Sequence, residues 1–149
     1  MVPLEQRIAH LFLDLHAYQE KLANFTSELY ETHCLGRSSE LVHSIDLVRD
    51  NGSVGVSLRH SFRFLESDYD EDLSELEIVV ELRFLEENCL VKSVIHAALQ
   101  CPMGEFSKGF HLLDFMAEEV ENLEKAMVIF KDKVRGICEM SDLMPRLGL

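Results

Sequence analysis

Strict alternation of apolar and polar residues in the middle of the chain limits the folds that this sequence can form. Between residues 54 and 64, every second position is apolar except for His60, and the positions between hold glycine, serine and arginine. Successive side chains of a β-strand point to opposite faces, so the pattern predicts a strand with one covered and one polar face. We expect His60 to be a buried, hydrogen-bonded histidine on the covered side, with His43 of the preceding strand as its neighbour.

Three further segments are predicted to be strands next to this one. Residues 41–49 come before it, and Asn51-Gly52 in between is typical of a tight hairpin turn. Residues 76–84 alternate in the same way, and residues 89–99 are apolar on both faces, as in a strand that is covered by its neighbours. The short connections predict an antiparallel meander.

A heptad spacing of apolar residues marks one helix at each end of the chain. Residues 3–34 and residues 106–140 both repeat apolar side chains every seven positions, which indicates amphipathic helices. The sequence therefore predicts a single α+β domain over residues 1–140 and a tail over residues 141–149. The domain would contain a four-stranded antiparallel sheet flanked by long N- and C-terminal amphipathic helices, in the order α-β-β-β-β-α.

The apolar seams of these two helices have two possible uses. The ordinary one is packing on the sheet or on the other helix of the same chain. Both predicted helices are longer than a small sheet is wide, so part of a seam could instead contact a second copy in a homodimer. The residues that would form such an oligomer seam are Leu15, Leu22, Phe25, Leu29, Met116, Leu123, Met127 and Phe130.

The acidic residues are concentrated in one region. The chain has 14 basic and 27 acidic side chains, a net charge of −13, and residues 66–87 contain ten of the acids and one base. This charge argues against binding to nucleic acid or to an anionic membrane and favours a basic protein partner. Cross-strand pairs with Arg59 and Arg63 would mask part of the charge. The predicted partner-binding surface consists of Glu66, Asp68, Asp70, Glu71, Asp72, Glu75, Glu77, Glu86 and Glu87.

Composition and cysteine spacing favour a cytoplasmic protein. Apolar residues make up 47% of the chain, enough for a core, and charged residues interrupt the first twenty positions in a way that signal peptides do not show. No apolar run approaches the ~20 residues of a membrane helix. The four cysteines form no C-x-x-C pair and are expected to be reduced: Cys34, Cys89, Cys101 and Cys138.

No segment carries a recognised catalytic or cofactor-binding motif. The sequence has no H-E-x-x-H, no G-x-S-x-G and no phosphate-binding glycine loop. The loop 66–72 lacks the glycine and the distal glutamate of a calcium loop. The pairs His10/Asp14 and His16/Glu20 are more typical of a helix surface than of a metal site. We therefore expect no catalytic residue, no metal and no cofactor.

Three functions remain open at this point. The leading hypothesis is a non-enzymatic protein-binding module, such as an adaptor, a dedicated assembly or secretion chaperone, or an immunity- or inhibitor-type protein. It would capture its partner through the acidic surface and the helix seams. The first alternative is a small enzyme or ligand-binding domain with a pocket between sheet and helices, where His43, His60, His96 and the cysteines would be the first candidates. The second alternative is an acidic nucleic-acid mimic.

Overall fold

A computed structural model describes residues 3–33, 39–50, 52–64, 73–99 and 110–143 of the chain. Its five strands form one antiparallel sheet in sequential order, which confirms the predicted α+β architecture with a helix at each end. The elements in chain order are α1 (Leu4–His33), β1 (Ser39–Asp50), β2 (Ser53–Phe64), β3 (Leu73–Phe84), β4 (Cys89–Leu99), β5 (Phe110–Val120) and α2 (Leu123–Cys138).

The turn between β1 and β2 has the predicted form. The ladder between these strands runs to the pair Asp50–Ser53 without a register shift, so two residues connect the strands. Gly52 has a φ of 81°, a conformation that glycine adopts at little cost and that a tight hairpin turn requires. The hairpin pairs β1 with β2, and β1 is the first strand in the order of the sheet, so it lies at an edge.

The prediction of four strands and of a second helix over residues 106–140 is wrong. The segment Phe110–Val120 is a fifth strand that pairs with β4, and the helix spans only Leu123–Cys138. The apolar spacing of this segment fits both structures, because Leu113 lies two positions from Phe115 and seven from Val120. Pairing with β5 covers the edge of β4, a strand that is apolar on both faces, and this tertiary contact decides between the two patterns.

A side-chain cap shows where the second helix begins. The Asn122 Oδ1 accepts a hydrogen bond from the Lys125 backbone N–H at 2.9 Å, as an N-cap residue does, and Glu124 places a negative charge in the first turn. These residues separate the acidic end of β5 from the basic part of α2. The expectation that the second helix extends beyond the sheet is therefore wrong. Helix α2 has 16 residues and each strand has 11 or 12, but a helical residue advances less than half as far along the axis as a strand residue.

Both helices pack on the same face of the sheet and run parallel to each other. Helix α1 lies over β1 and β2, and α2 lies over β3, β4 and β5. Arg7 and Glu124 form an ion pair of 2.8 Å near the two N-termini, and the Cys138 Sγ lies 3.6 Å from the Lys21 carbonyl oxygen about four turns later. The helices are therefore in contact along the whole length of α2.

The core lies between the helices and the sheet. It joins α1, α2 and the covered face of β2, β3 and β4, and its largest fully buried side chains include Phe62, Phe130, Leu22 and Leu82. Leu143 is also buried, so the beginning of the segment that we expected to be a tail belongs to this packing. Residues 144–149 lie outside the described residues.

A glycine of β2 is required by a close approach of two strands. A Cβ atom on Gly55 would lie 2.2 Å from the Leu82 carbonyl oxygen, well inside van der Waals contact. Only a residue without a side chain allows β2 and β3 to approach this closely.

Candidate interaction surface

Most of the predicted oligomer seam is used for packing inside the chain. Leu15, Leu22 and Phe130 are buried in the core, and the Met116 side chain lies outside the described residues. The remaining four are partly buried against the core: Phe25, Leu29, Leu123 and Met127. Packing inside the chain is the ordinary use of a helix seam, and the four partly buried side chains keep some accessible surface.

The predicted acidic surface lies only partly within the described residues. Glu86 and Glu87 are exposed in the turn between β3 and β4, whereas Glu75 and Glu77 are half-buried on β3. The loop members of the predicted surface lie outside the described residues: Glu66, Asp68, Asp70, Glu71 and Asp72.

Ion pairs cross the face of the sheet that lies away from the helices. Arg59 of β2 and Glu77 of β3 are 3.7 Å apart, which confirms the predicted cross-strand pairing for this arginine. Arg63 pairs instead with Glu40 of β1, at 3.1 Å. Part of the negative charge on β1 and β3 is therefore neutralised within the chain.

Glu81 lies at the centre of the same face. Its carboxylate is nearly buried and lies 3.2 Å from both the Arg83 Nε and the Lys92 Nζ. Glu77 and Glu81 are thus both ion-paired and add no free carboxylate to this face.

The apolar side chains that remain exposed are concentrated around β1. Leu47 is 93% exposed, Ile45 and Val42 are about half-exposed, and Val54 of β2 is similar. Three residues of α1 are exposed as well: Ile8, Phe12 and Leu13. We call the side chains of Leu47, Ile45, Val42, Val54, Ile8 and Phe12, together with the outer backbone edge of β1, the β1 edge surface.

The course of α1 places its exposed residues beside those of β1. Tyr30 contacts Phe62 with ring centroids 5.9 Å apart, and Gln19 bonds His60, so the N-terminal turns of α1 lie over the earlier part of β2. The residues that pair with this part of β2 on the covered face are Ile45 and Leu47. Residues 8 and 12 precede residue 19 by about three and two helical turns on the same side of the helix.

The two edges of the sheet differ in how well they resist further pairing. Natural edge strands are blunted by proline, by charged side chains, above all lysine, by bulges or by a covering element. The 12 residues of β1 include four charged side chains but no proline and no lysine, and the β1–β2 ladder has no register shift. By contrast, the β4–β5 ladder is interrupted between Val91 and Ser93. Within the described residues, nothing pairs with the outer side of β1.

Beneath this edge, His43, His60 and Gln19 form a hydrogen-bonded chain that we call the histidine relay. The two Nδ1 atoms are 2.6 Å apart, and the His60 Nε2 lies 2.7 Å from the Gln19 Oε1. The amide oxygen can only accept, so the His60 Nε2 carries a proton and donates it. The His60 Nδ1 then accepts from the His43 Nδ1–H, and the His43 Nε2 holds a lone pair.

Electrostatics keep the histidine relay uncharged. Burial and the neighbouring His43 lower the pKa of His60 to about 4, and burial also lowers the pKa of His43. The prediction that His60 is buried and hydrogen-bonded, with His43 beside it, is confirmed. The relay links α1 to β1 and β2 and thereby supports the edge from below.

The other candidate catalytic residues that the structure describes do not join this relay, and Cys34 and Cys101 lie outside the described residues. His96 pairs with Glu77 in the β3–β4 ladder and follows the buried Ile95, so it faces the other side of the sheet. Cys89 lies on β4, with β3 between it and His60. Burial raises the pKa of Cys89 and raises that of Cys138 to about 11, which leaves both thiols protonated and weakly nucleophilic.

The two helices border an open groove of about 720 Å³ near their N-termini. Leu11 and Met127 provide apolar surface, while the Arg7–Glu124 ion pair and Asp14 provide charges of both signs. Its mixed lining does not point to one class of ligand.

Comparison with known protein families, characterised proteins and solved structures finds no match for this chain. In the part of the chain that the structure describes, no three His, Cys, Asp or Glu side chains are placed to hold a metal ion. Neither of the described helices is long and apolar enough to cross a membrane. The candidate site therefore rests on geometry alone, and the β1 edge surface is its most distinctive feature.

Proposed function

We propose that the protein is a non-enzymatic binding module that takes up an extended, basic segment of a protein partner along the outer edge of β1. The observation that carries this proposal is a long edge strand without proline, lysine or a bulge, bordered by exposed apolar side chains. In strand addition, main-chain hydrogen bonds provide affinity, and alternate side chains of the added segment provide specificity. Leu47 and Ile45 of β1 and Phe12 of α1 would contact the apolar side chains of that segment.

Charge around the edge favours a basic partner. Helix α1 carries five acidic and two basic residues and β1 carries three acidic and one basic, whereas α2 carries two acidic and four basic. The two elements that border the edge are therefore net negative. Complementary charge would steer a basic segment to them and raise the rate of association.

A second copy of the chain is the alternative occupant, and charge argues against it. The net charge of −13 makes two copies repel each other. If two β1 strands paired antiparallel about Ile45, Glu40 of each copy would also lie opposite Asp50 of the other. A basic segment meets neither obstacle.

A peptide selection tests the proposal without knowledge of the natural partner. The immobilised protein is offered a display library of random peptides as long as β1, 12 residues. We expect enrichment of sequences that alternate apolar and basic residues and contain no proline. The same selection on Leu47→Asp should lose these sequences, because the change places a charge in the contact. Val128→Asp is the matched control, since Val128 is an exposed apolar residue of α2.

Two outcomes would overturn the proposal. One is the recovery of the same peptides on Leu47→Asp, or of no enriched class on the unchanged protein. The other is a stable dimer in sedimentation analysis that Leu47→Asp dissociates, because the edge would then be occupied by a second copy.

A further inference from the structure

We propose that a cavity between α2 and the β4–β5 side of the sheet binds a small, uncharged molecule with a compact apolar body and one hydrogen-bonding group. The cavity has a volume of about 370 Å³, within the ~300–1,000 Å³ that is usual for small-molecule sites. It shares no residue with the β1 edge surface, so this inference is independent of the proposed function.

A buried hydroxyl without a partner belongs to a residue in the wall of this cavity. Ser93 is 2% exposed and lines the cavity, and its Oγ has no hydrogen-bond partner among the described residues. Buried polar groups are almost always satisfied, so a lone one calls for a missing partner. A ligand hydroxyl or carbonyl at this position would supply it.

The backbone around Ser93 leaves room for such a ligand. The β4–β5 ladder shifts register between Val91 and Ser93, and irregularities of this kind redirect side chains next to binding sites. On the opposite wall, Gly136 lies inside α2, where alanine would favour the helix. A Cβ atom on Gly136 would meet nothing within 4 Å, so the absence of a side chain keeps space open.

Each charged group that lines the cavity has an ion-pair partner, which favours an uncharged ligand. Lys133 is mostly buried and lies 3.4 Å from Glu118, and Asp132 lies 3.1 Å from Arg135. A charged ligand would have to displace one of these pairs and lose its own hydration. The remaining lining is apolar and comes from Ile129, Ile137 and Met140.

Titration with 1-hexanol tests this site, with hexanoate and hexylammonium as charged ligands of the same length. Backbone amide chemical shifts report the binding. We expect saturable binding of hexanol, with shifts around Ser93 and Gly136, and at least about tenfold weaker binding of both ions. Ser93→Ala should weaken hexanol about fivefold, the equivalent of one neutral hydrogen bond. Gly136→Leu should abolish binding by filling the space.

Both variants are expected to fold, because one removes an unsatisfied hydroxyl and the other a helix glycine. Ser57→Ala is the matched control, since Ser57 is buried but does not line the cavity, and it should bind hexanol unchanged. No saturable binding of hexanol would overturn the inference. Binding that neither Ser93→Ala nor Gly136→Leu alters would also overturn it, because hexanol would then occupy another site.

Discussion

The Nδ1 atoms of His43 and His60 lie 2.6 Å apart across the first ladder of the sheet. One proton serves both atoms, because the other ring nitrogen of His60 donates to Gln19. A fully buried ring can be held in this way only while it is neutral. Helix α1 is thereby attached to the same two strands that form the open edge, and the stability of that attachment depends on pH.

Acidification should destabilise the protein through His60. Its pKa is about 4 in the folded protein and 6.5 in an unperturbed chain, so the unfolded state binds more protons between these values. The contribution is complete above pH 6.5 and is lost as the pH falls to about 4. The loss is on the order of 3 kcal/mol of unfolding free energy, and the lowered pKa of His43 acts in the same direction. Urea unfolding at a series of pH values measures it.

The control for this pH dependence is His60→Gln, which cannot titrate. Its unfolding free energy should fall less steeply over the same pH range, while the acidic residues contribute equally to both proteins. Equal slopes for the two proteins would show that the buried ring is not responsible.

Two glycine-to-alanine changes should have opposite effects. Gly55→Ala places a Cβ 2.2 Å from a backbone oxygen of β3, so the strands must separate, at a cost of about 3 kcal/mol or more. Gly136→Ala adds a methyl group in open space on a helix and should stabilise by up to about 1 kcal/mol. Thermal unfolding of both variants measures the difference, and a tolerated Gly55→Ala would contradict the described approach of β2 and β3.

Leucine truncations should separate the core from the exposed edge. Leu22 is fully buried, so Leu22→Ala should cost about 2–5 kcal/mol of stability. Leu47 is almost fully exposed, and Leu47→Ala should change stability by no more than about 0.5 kcal/mol. Chemical unfolding measures both. A small effect of Leu22→Ala would indicate that Leu22 is not a core residue and is available for contact with a partner.

Removal of the buried carboxylate on the open face should cost more than removal of an exposed one. Glu81→Gln leaves Arg83 and Lys92 without their shared partner, and we expect a loss on the order of 2 kcal/mol. Glu77→Gln disrupts a looser, more exposed pair with Arg59 and should cost less than about 1 kcal/mol. Similar losses at both positions in chemical unfolding would show that burial of Glu81 is unimportant.

The elements with one clear period were predictable from the sequence. Helix α1 and strands β2 and β3 follow from local spacing alone, and so does the neighbour relationship of His43 and His60. Residues 110–120 were not, because their spacing suits a helix and a strand equally and pairing with β4 makes the choice.

The interaction surface was harder to predict for a related reason. The first strand is apolar on both faces, with Leu41 beside Val42 and Leu47 beside Val48, a pattern that usually indicates a covered strand. The first strand of a meander nevertheless lies at an edge. The predicted strand order therefore indicated that the apolar residues of this strand are exposed. For β1 itself, the sequence did not show which face the helices cover, because both of its faces are apolar.

Amide hydrogen exchange of β1, with and without a selected peptide, tests the central claim most directly. Asp50 and Ser53 close a two-residue turn and form a hydrogen-bonded pair, so the odd-numbered residues of β1 direct their N–H groups away from β2. We predict that the amides of His43, Ile45 and Leu47 exchange rapidly in the free protein and become protected when the peptide binds, while the amides of the even-numbered residues change little. Protection confined to the helices, or none in β1, would contradict strand addition at this edge.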